Sequence, residues 1–109
     1  MGIFNWLFGK NALQKSLTKL REKDLGTMAG LIEDYVKEGN YQAFGETRKK
    51  MECDMLKENF NLQKGPASES LNRFKWAKDI CEEYNFTEGA NIMQNYIDVY
   101  ILYIKDYCD

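Results

Sequence analysis

Residues 87–107 read TEGANIMQNYIDVYILYIKDY, and this stretch decides the fold class. Its apolar residues recur at steps of three and four, which is the spacing of one face of an α-helix. An aliphatic stripe consists of Met93, Ile97, Ile101 and Ile104. Beside it, within about 60° of arc on a helical wheel, lies a tyrosine stripe that consists of Tyr96, Tyr100, Tyr103 and Tyr107. The stretch therefore predicts a long helix with one broad apolar face.

The same helical spacing extends towards the N-terminus. Residues 66–84 have apolar side chains around more than half of the circumference, which is typical of a largely buried helix. Residues 11–38 predict either one long kinked helix or two helices that meet near Asp24. The tripeptide Lys64-Gly65-Pro66 predicts the boundary between the third and fourth segments, because glycine suits a helix end and proline suits a helix start.

Residues 41–62 carry a narrow seam at a step close to 3.5, which resembles the a/d pattern of a coiled coil. Its apolar members are Tyr41, Phe44, Met51, Met55 and Leu62. Arg48 lies in the middle of this seam, and Cys53 lies off it. An arginine at such a position extends to solvent, pairs with a carboxylate of another helix, or binds an anionic ligand. Arg48 is therefore a candidate ion-pair or anion site.

A weak internal repeat, at an offset of 45 residues, relates Leu31–Tyr35 to Trp76–Ile80. Each copy predicts a helix, a short turn and a second helix. We therefore predict an all-α protein, a small bundle of four principal helices in two antiparallel hairpins over roughly residues 25–64 and 66–107. A break near Gly26 would raise the number of helices to five.

Residues 1–9 form a short apolar segment in front of a single helical domain that spans residues 10–109. The large apolar residues of this segment are Ile3, Phe4, Trp6, Leu7 and Phe8. Because their face points away from the leucine stripe that follows, we expect a kink or break near Gly9. Three roles remain open for the segment: part of the core, a plug that docks into a partner protein, or an anchor at a membrane surface.

Charge is polarised along the chain in a way that bears on the anchor hypothesis. Residues 1–23 hold five basic side chains and one acidic one, a net charge of +4. Residues 76–109 hold two basic and seven acidic side chains, a net charge of −5. An apolar start followed by lysines is typical of segments that bind anionic lipid, so residues 3–23 are a candidate membrane-surface contact.

Composition argues against several classes of function. The chain has 109 residues, 15 Lys and Arg against 17 Asp and Glu, and no histidine. A net charge of −2 argues against general nucleic-acid binding. Lack of histidine removes the commonest general base and metal ligand. The cysteines Cys53, Cys81 and Cys108 are odd in number and widely spaced, which favours reduced thiols. We expect a cytoplasmic protein without a cofactor, with the inner membrane face as the alternative location.

We therefore predict a non-catalytic protein–protein interaction module of the adaptor, inhibitor, immunity or anti-defence type. Its expected contact surfaces are the tyrosine stripe, which is also a candidate homodimer interface, and the apolar segment. One alternative is a peripheral membrane protein that is anchored by the N-terminus. Another is a magnesium-dependent nucleotide-binding protein. The acidic residues considered for magnesium are Asp79, Glu82, Glu83, Glu33, Asp34 and Glu38. They lack a repeated Glu-x-x-Glu, so we interpret them as solvated helix faces.

Overall fold

The structure is a computed structural model that describes the backbone of residues 3–108 and the side chains of residues 11–108. Regular structure in this part of the chain is entirely helical. The helices are α1 (Ile3–Glu22), α2 (Gly26–Glu38), α3 (Glu46–Phe60), α4 (Lys64–Glu83) and α5 (Thr87–Tyr103), and a π-helical turn, Ile104–Cys108, continues α5. The predicted all-α bundle is confirmed, and it has five helices.

The boundaries between helices follow from residues that tolerate a left-handed backbone. Each of the four interhelical connections contains one residue with positive φ, namely Asp24, Gly39, Asn61 and Asn85. Glycine, asparagine and aspartate are the residues that adopt this conformation at least cost. The break at Asp24 (φ 61°) divides residues 11–38 into two helices, as the five-helix alternative predicts.

Two predicted boundaries differ from the structure. Helix α1 continues through Gly9, so the expected break is absent, because one glycine costs a helix only about 1 kcal/mol. Helix α3 ends at Asn61 (φ 47°) rather than at Gly65. Gly65 instead lies in the first turn of α4 with Pro66, whose missing N–H is not needed there.

Helix α5 occupies the centre of the bundle and packs against α2, α3 and α4. Helices α4 and α5 form an antiparallel hairpin, in which the Lys78 ammonium donates to Gln94 (2.7 Å) near the turn. Helix α3 runs parallel to α5: Phe44, before α3, bonds Asn95, whereas Asp54, late in α3, bonds Tyr107. Helix α2 packs on α1 and α5. Both halves of the chain are therefore joined through α5.

Among the side chains that the structure describes, the core consists of one large cluster and one small one. The large cluster joins α1, α2, α4 and α5 through fully buried residues such as Leu20, Ile32 and Met93. The small cluster joins α3, α4 and α5 and consists of Cys53, Ala67, Val99 and Tyr103. Cysteine and alanine are small, so the helices approach closely here. Among the helices whose side chains are described, none has the length and hydropathy to cross a bilayer.

Candidate interaction surfaces

The tyrosine stripe lies largely inside the monomer. Tyr103 is completely buried, and its hydroxyl donates to the carbonyl oxygen of Leu62 (2.7 Å). Tyr100 is 9% exposed, and its ring centroid lies 5.3 Å from that of Phe74. Helices α2, α3 and α4 thus already cover most of the surface that the sequence predicts as a homodimer interface. Tyr107 is the member of the stripe that is exposed.

Tyr96, the fourth member, takes part in a polar network between α2, α3 and α5. Its hydroxyl lies 2.7 Å from that of Tyr35, and Arg48 donates to Tyr35 (3.0 Å) and to Glu52 (2.8 Å). Burial raises the pKa of Tyr96, and the hydrogen bond with Tyr35 raises it further. The hydrogen bond to Glu52 raises the pKa of Arg48. These groups satisfy one another, so the network fixes the positions of three helices.

The connection before α3 is held against α5 by Asn95. The Asn95 side chain accepts from the backbone N–H of Phe44 (2.9 Å) and donates to the carbonyl of Gln42 (2.9 Å). The Phe44 ring then packs edge-on against Tyr96 (5.6 Å between centroids) and lies 4.4 Å from the Arg48 guanidinium carbon. Asn95 is buried, although it is a polar residue within α5. Sequence analysis did not identify this bridge, because burial of a polar helix residue depends on the packing of distant segments.

Arg48, in the middle of the α3 seam, forms an ion pair within its own helix. Sequence analysis allowed it to pair with a carboxylate of another helix, and its carboxylate partner is Glu52, one turn later in its own helix. The Arg48 side chain is 35% exposed. It therefore contributes to the network while part of the guanidinium stays accessible to solvent.

The surface tyrosine, Tyr107, holds the π-helical turn against α3. Its hydroxyl donates to Asp54 (2.6 Å), which also pairs with Lys50 (3.1 Å). The hydrogen bond from Tyr107 lowers the pKa of Asp54, and the one from Lys50 lowers it further. Lys50 and Lys57 lie over the Tyr107 ring at 5.5 and 5.4 Å from its centroid. This exposed cluster thus docks the end of the chain and presents no unpaired group.

The outer α3 face, which we define as Arg48, Met51, Met55 and Glu58, leaves two apolar side chains uncovered at the centre of a helix. Met51 and Met55 are 49% and 46% exposed, and Glu58 is exposed. The seam residues Met51 and Met55 point outward, whereas Cys53 is completely buried against α5. Helix α3 therefore packs through its small residue and presents the methionines. Sequence analysis did not single out Glu58, although the spacing 48, 51, 55, 58 marks it as a member of the same face.

For the apolar segment, the structure describes the backbone from Ile3 onward and no side chains. The backbone of Ile3–Lys10 is part of α1, and the side chains of the predicted contact residues lie outside the described part of the chain. Those residues are Ile3, Phe4, Trp6, Leu7 and Phe8. The backbone forms one unbroken helix, α1, which includes both this segment and the basic residues that follow it.

Groups for metal or thiol chemistry are dispersed. Among the described residues no group of three or more Cys, Asp or Glu side chains is arranged to hold a metal ion. All three thiols are free. Burial raises the pKa of the Cys81 thiol to about 12 and also raises that of Cys53, so both thiols are protonated at neutral pH. A protonated, buried thiol is a poor nucleophile.

Comparison of the chain with protein-family models, with curated proteins and with solved structures finds no match. The surfaces of the molecule itself therefore bear on its function. Of these, the tyrosine stripe is mostly interior, the Tyr107 cluster is internally paired, and the outer α3 face leaves Met51 and Met55 exposed.

Proposed function

We propose that this protein is a non-catalytic protein–protein interaction module whose contact surface is the outer α3 face. One observation carries the proposal: Met51 and Met55, one helical turn apart, are about half exposed at the middle of α3. Two apolar side chains at this spacing are the pattern by which one helix docks against another element. Methionine is unbranched and adapts its shape, so it is common on such surfaces.

The surroundings of the two methionines support a specific contact. Arg48 and Glu58 flank them on the same face, which gives an apolar centre with charged ends. Interfaces commonly have this arrangement, with an apolar core and a polar rim. The helix beneath is held rigidly by Cys53 on α5 and by the Arg48 network, so little order needs to be gained on binding.

The biological class that we infer is an adaptor, inhibitor, immunity or anti-defence protein of the cytoplasm. Small size and a stable helical scaffold that presents a short apolar face are properties of proteins that act by occupying a partner. Two observations support a non-catalytic role: no group of three or more Cys, Asp or Glu side chains in the described part of the chain is arranged to hold a metal ion, and burial raises the pKa of the Cys81 thiol.

Site-specific photo-crosslinking in the native cell tests this function. The full chain carries p-benzoylphenylalanine in place of Met55, and the control carries it in place of Asn72, an exposed residue of α4. We expect a discrete crosslinked protein at position 55 and only background at position 72. Background crosslinking at both positions, or the same products at both, would contradict the outer α3 face as a contact surface.

Membrane-surface association is the second candidate function, and it has its own observation. Helix α1 is uninterrupted from Ile3 to Glu22, so the apolar segment and the exposed Lys15 and Arg21 belong to one rigid rod. An interfacial helix needs this combination of apolar and basic residues. We propose that α1 lies on anionic lipid if the outer α3 face proves inert.

Vesicle sedimentation of the full chain distinguishes the two functions. We expect binding to phosphatidylserine vesicles, none to phosphatidylcholine vesicles, and weaker binding as salt is raised. Leu7→Glu should abolish binding, whereas Phe60→Glu, at the exposed end of α3, should not change it. Failure of the wild-type protein to sediment with phosphatidylserine vesicles at low salt would rule out this candidate.

A further inference from the structure

The heptad register of α3 makes the outer α3 face symmetric about its own centre. Arg48, Met51, Met55 and Glu58 follow one another at steps of three, four and three. The two methionines stand two residues on either side of position 53, and the two charged residues stand five on either side. These charged residues have opposite signs. An antiparallel copy of the same helix would therefore present complementary groups at every position of the face.

We infer that the partner of the outer α3 face is a second copy of this chain, docked antiparallel across a two-fold axis that passes beside position 53. This inference rests on the proposed function and names its partner. In this arrangement Met51 of each copy packs on Met55 of the other, and Arg48 of each copy pairs with Glu58 of the other. A two-fold interface forms each contact twice, so one complementary pair of residues supplies two ion pairs.

Charge along α3 as a whole favours the same orientation. Residues 46–50 hold three basic side chains and one acidic one, a net charge of +2. Residues 52–58 hold three acidic side chains and one basic one, a net charge of −2. Antiparallel packing places the basic half of each helix against the acidic half of the other, whereas parallel packing would oppose like charges. The orientation is therefore set by the sequence of α3 itself.

Both charged groups retain the capacity to bind across the interface. Arg48 uses its Nε for Glu52 (2.8 Å) and one terminal nitrogen for Tyr35 (3.0 Å). A guanidinium has five N–H donors, so the other terminal nitrogen remains for a carboxylate. Glu58 is exposed and forms no ion pair with any described residue. The Arg48–Glu52 pair also orients the guanidinium before the second copy arrives.

Sedimentation of the full chain, from micromolar to near-millimolar concentration, tests the inference through a charge exchange. We expect reversible dimers of the wild type, in keeping with a short interface of about three helical turns. Glu58→Arg places two arginines against each other twice and should weaken the dimer at least tenfold. Glu69→Arg makes the same charge change on the exposed face of α4 and should leave the dimer unchanged.

Mixing two variants provides the decisive result. Arg48→Glu alone should not dimerise, but an equimolar mixture with Glu58→Arg restores both ion pairs and should form a heterodimer. Because Arg48 also contacts Tyr35, circular dichroism must show that its variant is folded. If it is not, Met55→Glu gives an independent test, since it places a carboxylate against Met51 and should abolish the dimer without touching the network.

Three outcomes would overturn the inference: a wild-type monomer at near-millimolar concentration, equal weakening by Glu69→Arg and Glu58→Arg, or no heterodimer from two folded variants. A wild-type monomer whose position 55 crosslinks to a different protein would overturn the second copy as partner and leave the proposed function intact. A monomer without any crosslink at position 55 would overturn both. A dimer that shows the charge exchange supports both.

Discussion

Gly89, in the first turn of α5, packs directly against the Phe86 ring and against Cys81 of α4. An added Cβ at this position would lie 2.6 Å from the Phe86 ring and 2.8 Å from the Cys81 sulfur. These contacts are local in sequence, because Phe86 and Gly89 lie at the start of α5 and Cys81 lies near the end of α4. Nothing in the spacing of apolar residues distinguishes Gly89 from the other glycines, so only the packed hairpin reveals its role.

We predict that Gly89→Ala lowers the free energy of unfolding by about 1–3 kcal/mol, since overpacking displaces neighbours that are themselves buried. Urea denaturation followed by circular dichroism measures this change. Gly30→Ala, in the middle of α2, is the matched control, because no described atom lies within 4 Å of its added Cβ. It should stabilise the protein by about 0.5–1 kcal/mol. Equal effects at both positions would contradict the close packing of Gly89.

At the scale of the element, the tyrosine stripe of α5 separates into interior and surface members along its length. The hydroxyl of Tyr103 is buried and bonded to the Leu62 carbonyl, whereas that of Tyr107 is exposed and bonded to Asp54. Periodicity places both residues on one ribbon. The difference arises because α3 and the start of α4 enclose Tyr103, and α5 passes into a π-helical turn before Tyr107.

We predict that Tyr103→Phe costs about 1–3 kcal/mol, because the buried Leu62 carbonyl loses its donor. Tyr107→Phe should cost less than about 1 kcal/mol, since water replaces the lost hydroxyl at an exposed carboxylate. Chemical denaturation of the two variants, which remove the same atom, compares them directly. A larger loss in the free energy of unfolding for Tyr107→Phe than for Tyr103→Phe would contradict the assignment of Tyr103 to the interior and Tyr107 to the surface.

On helix α3, the exposed part of the apolar seam and the packed face lie on different sides. The seam residues Met51 and Met55 face outward. The buried face is built instead from Cys53 with the partly buried Leu56. Small residues allow close approach of two helices, so α3 packs there, and the methionines remain exposed to solvent.

At the scale of the whole molecule, α5 is the element on which the other helices depend. It contacts α2, α3 and α4, and its residues belong to both core clusters. A disturbance inside α5 therefore reaches every layer of the bundle at once. We expect the chain to unfold in a single cooperative transition, as small single domains do.

Neighbouring positions on α5 test this architecture. Tyr100 is 9% exposed and Ile101 is 49% exposed. We predict that Tyr100→Glu destabilises the protein by about 3 kcal/mol or more, because it buries an unpaired carboxylate. Ile101→Glu should change the free energy of unfolding by less than about 1 kcal/mol. Thermal unfolding that is monitored by both far-UV circular dichroism and tryptophan fluorescence measures the effect. Similar losses in the two variants would mean that α5 is not the centre of the bundle.

The sequence by itself determined the helical class and the chemistry of the turns, and it left open whether there are four or five helices. Steps of three and four along residues 87–107 admit only a helix, and the break at Asp24 and the stop at Gly39 are local backbone properties. Such features depend on neighbours within a few residues, so periodicity and residue type specify them.

Only the tertiary structure decided which apolar faces are covered. Tyr100 and Tyr103 are interior because α3 and α4 enclose them, Met51 and Met55 are exposed because Cys53 takes the packed side, and Arg48 is paired because Glu52 and Tyr35 reach it. Periodicity identifies a face but not its neighbour, since burial depends on contacts between residues that are far apart in the chain. The apolar side chains of α5 are thus mostly buried within the molecule, whereas Met51 and Met55 of α3 stay exposed.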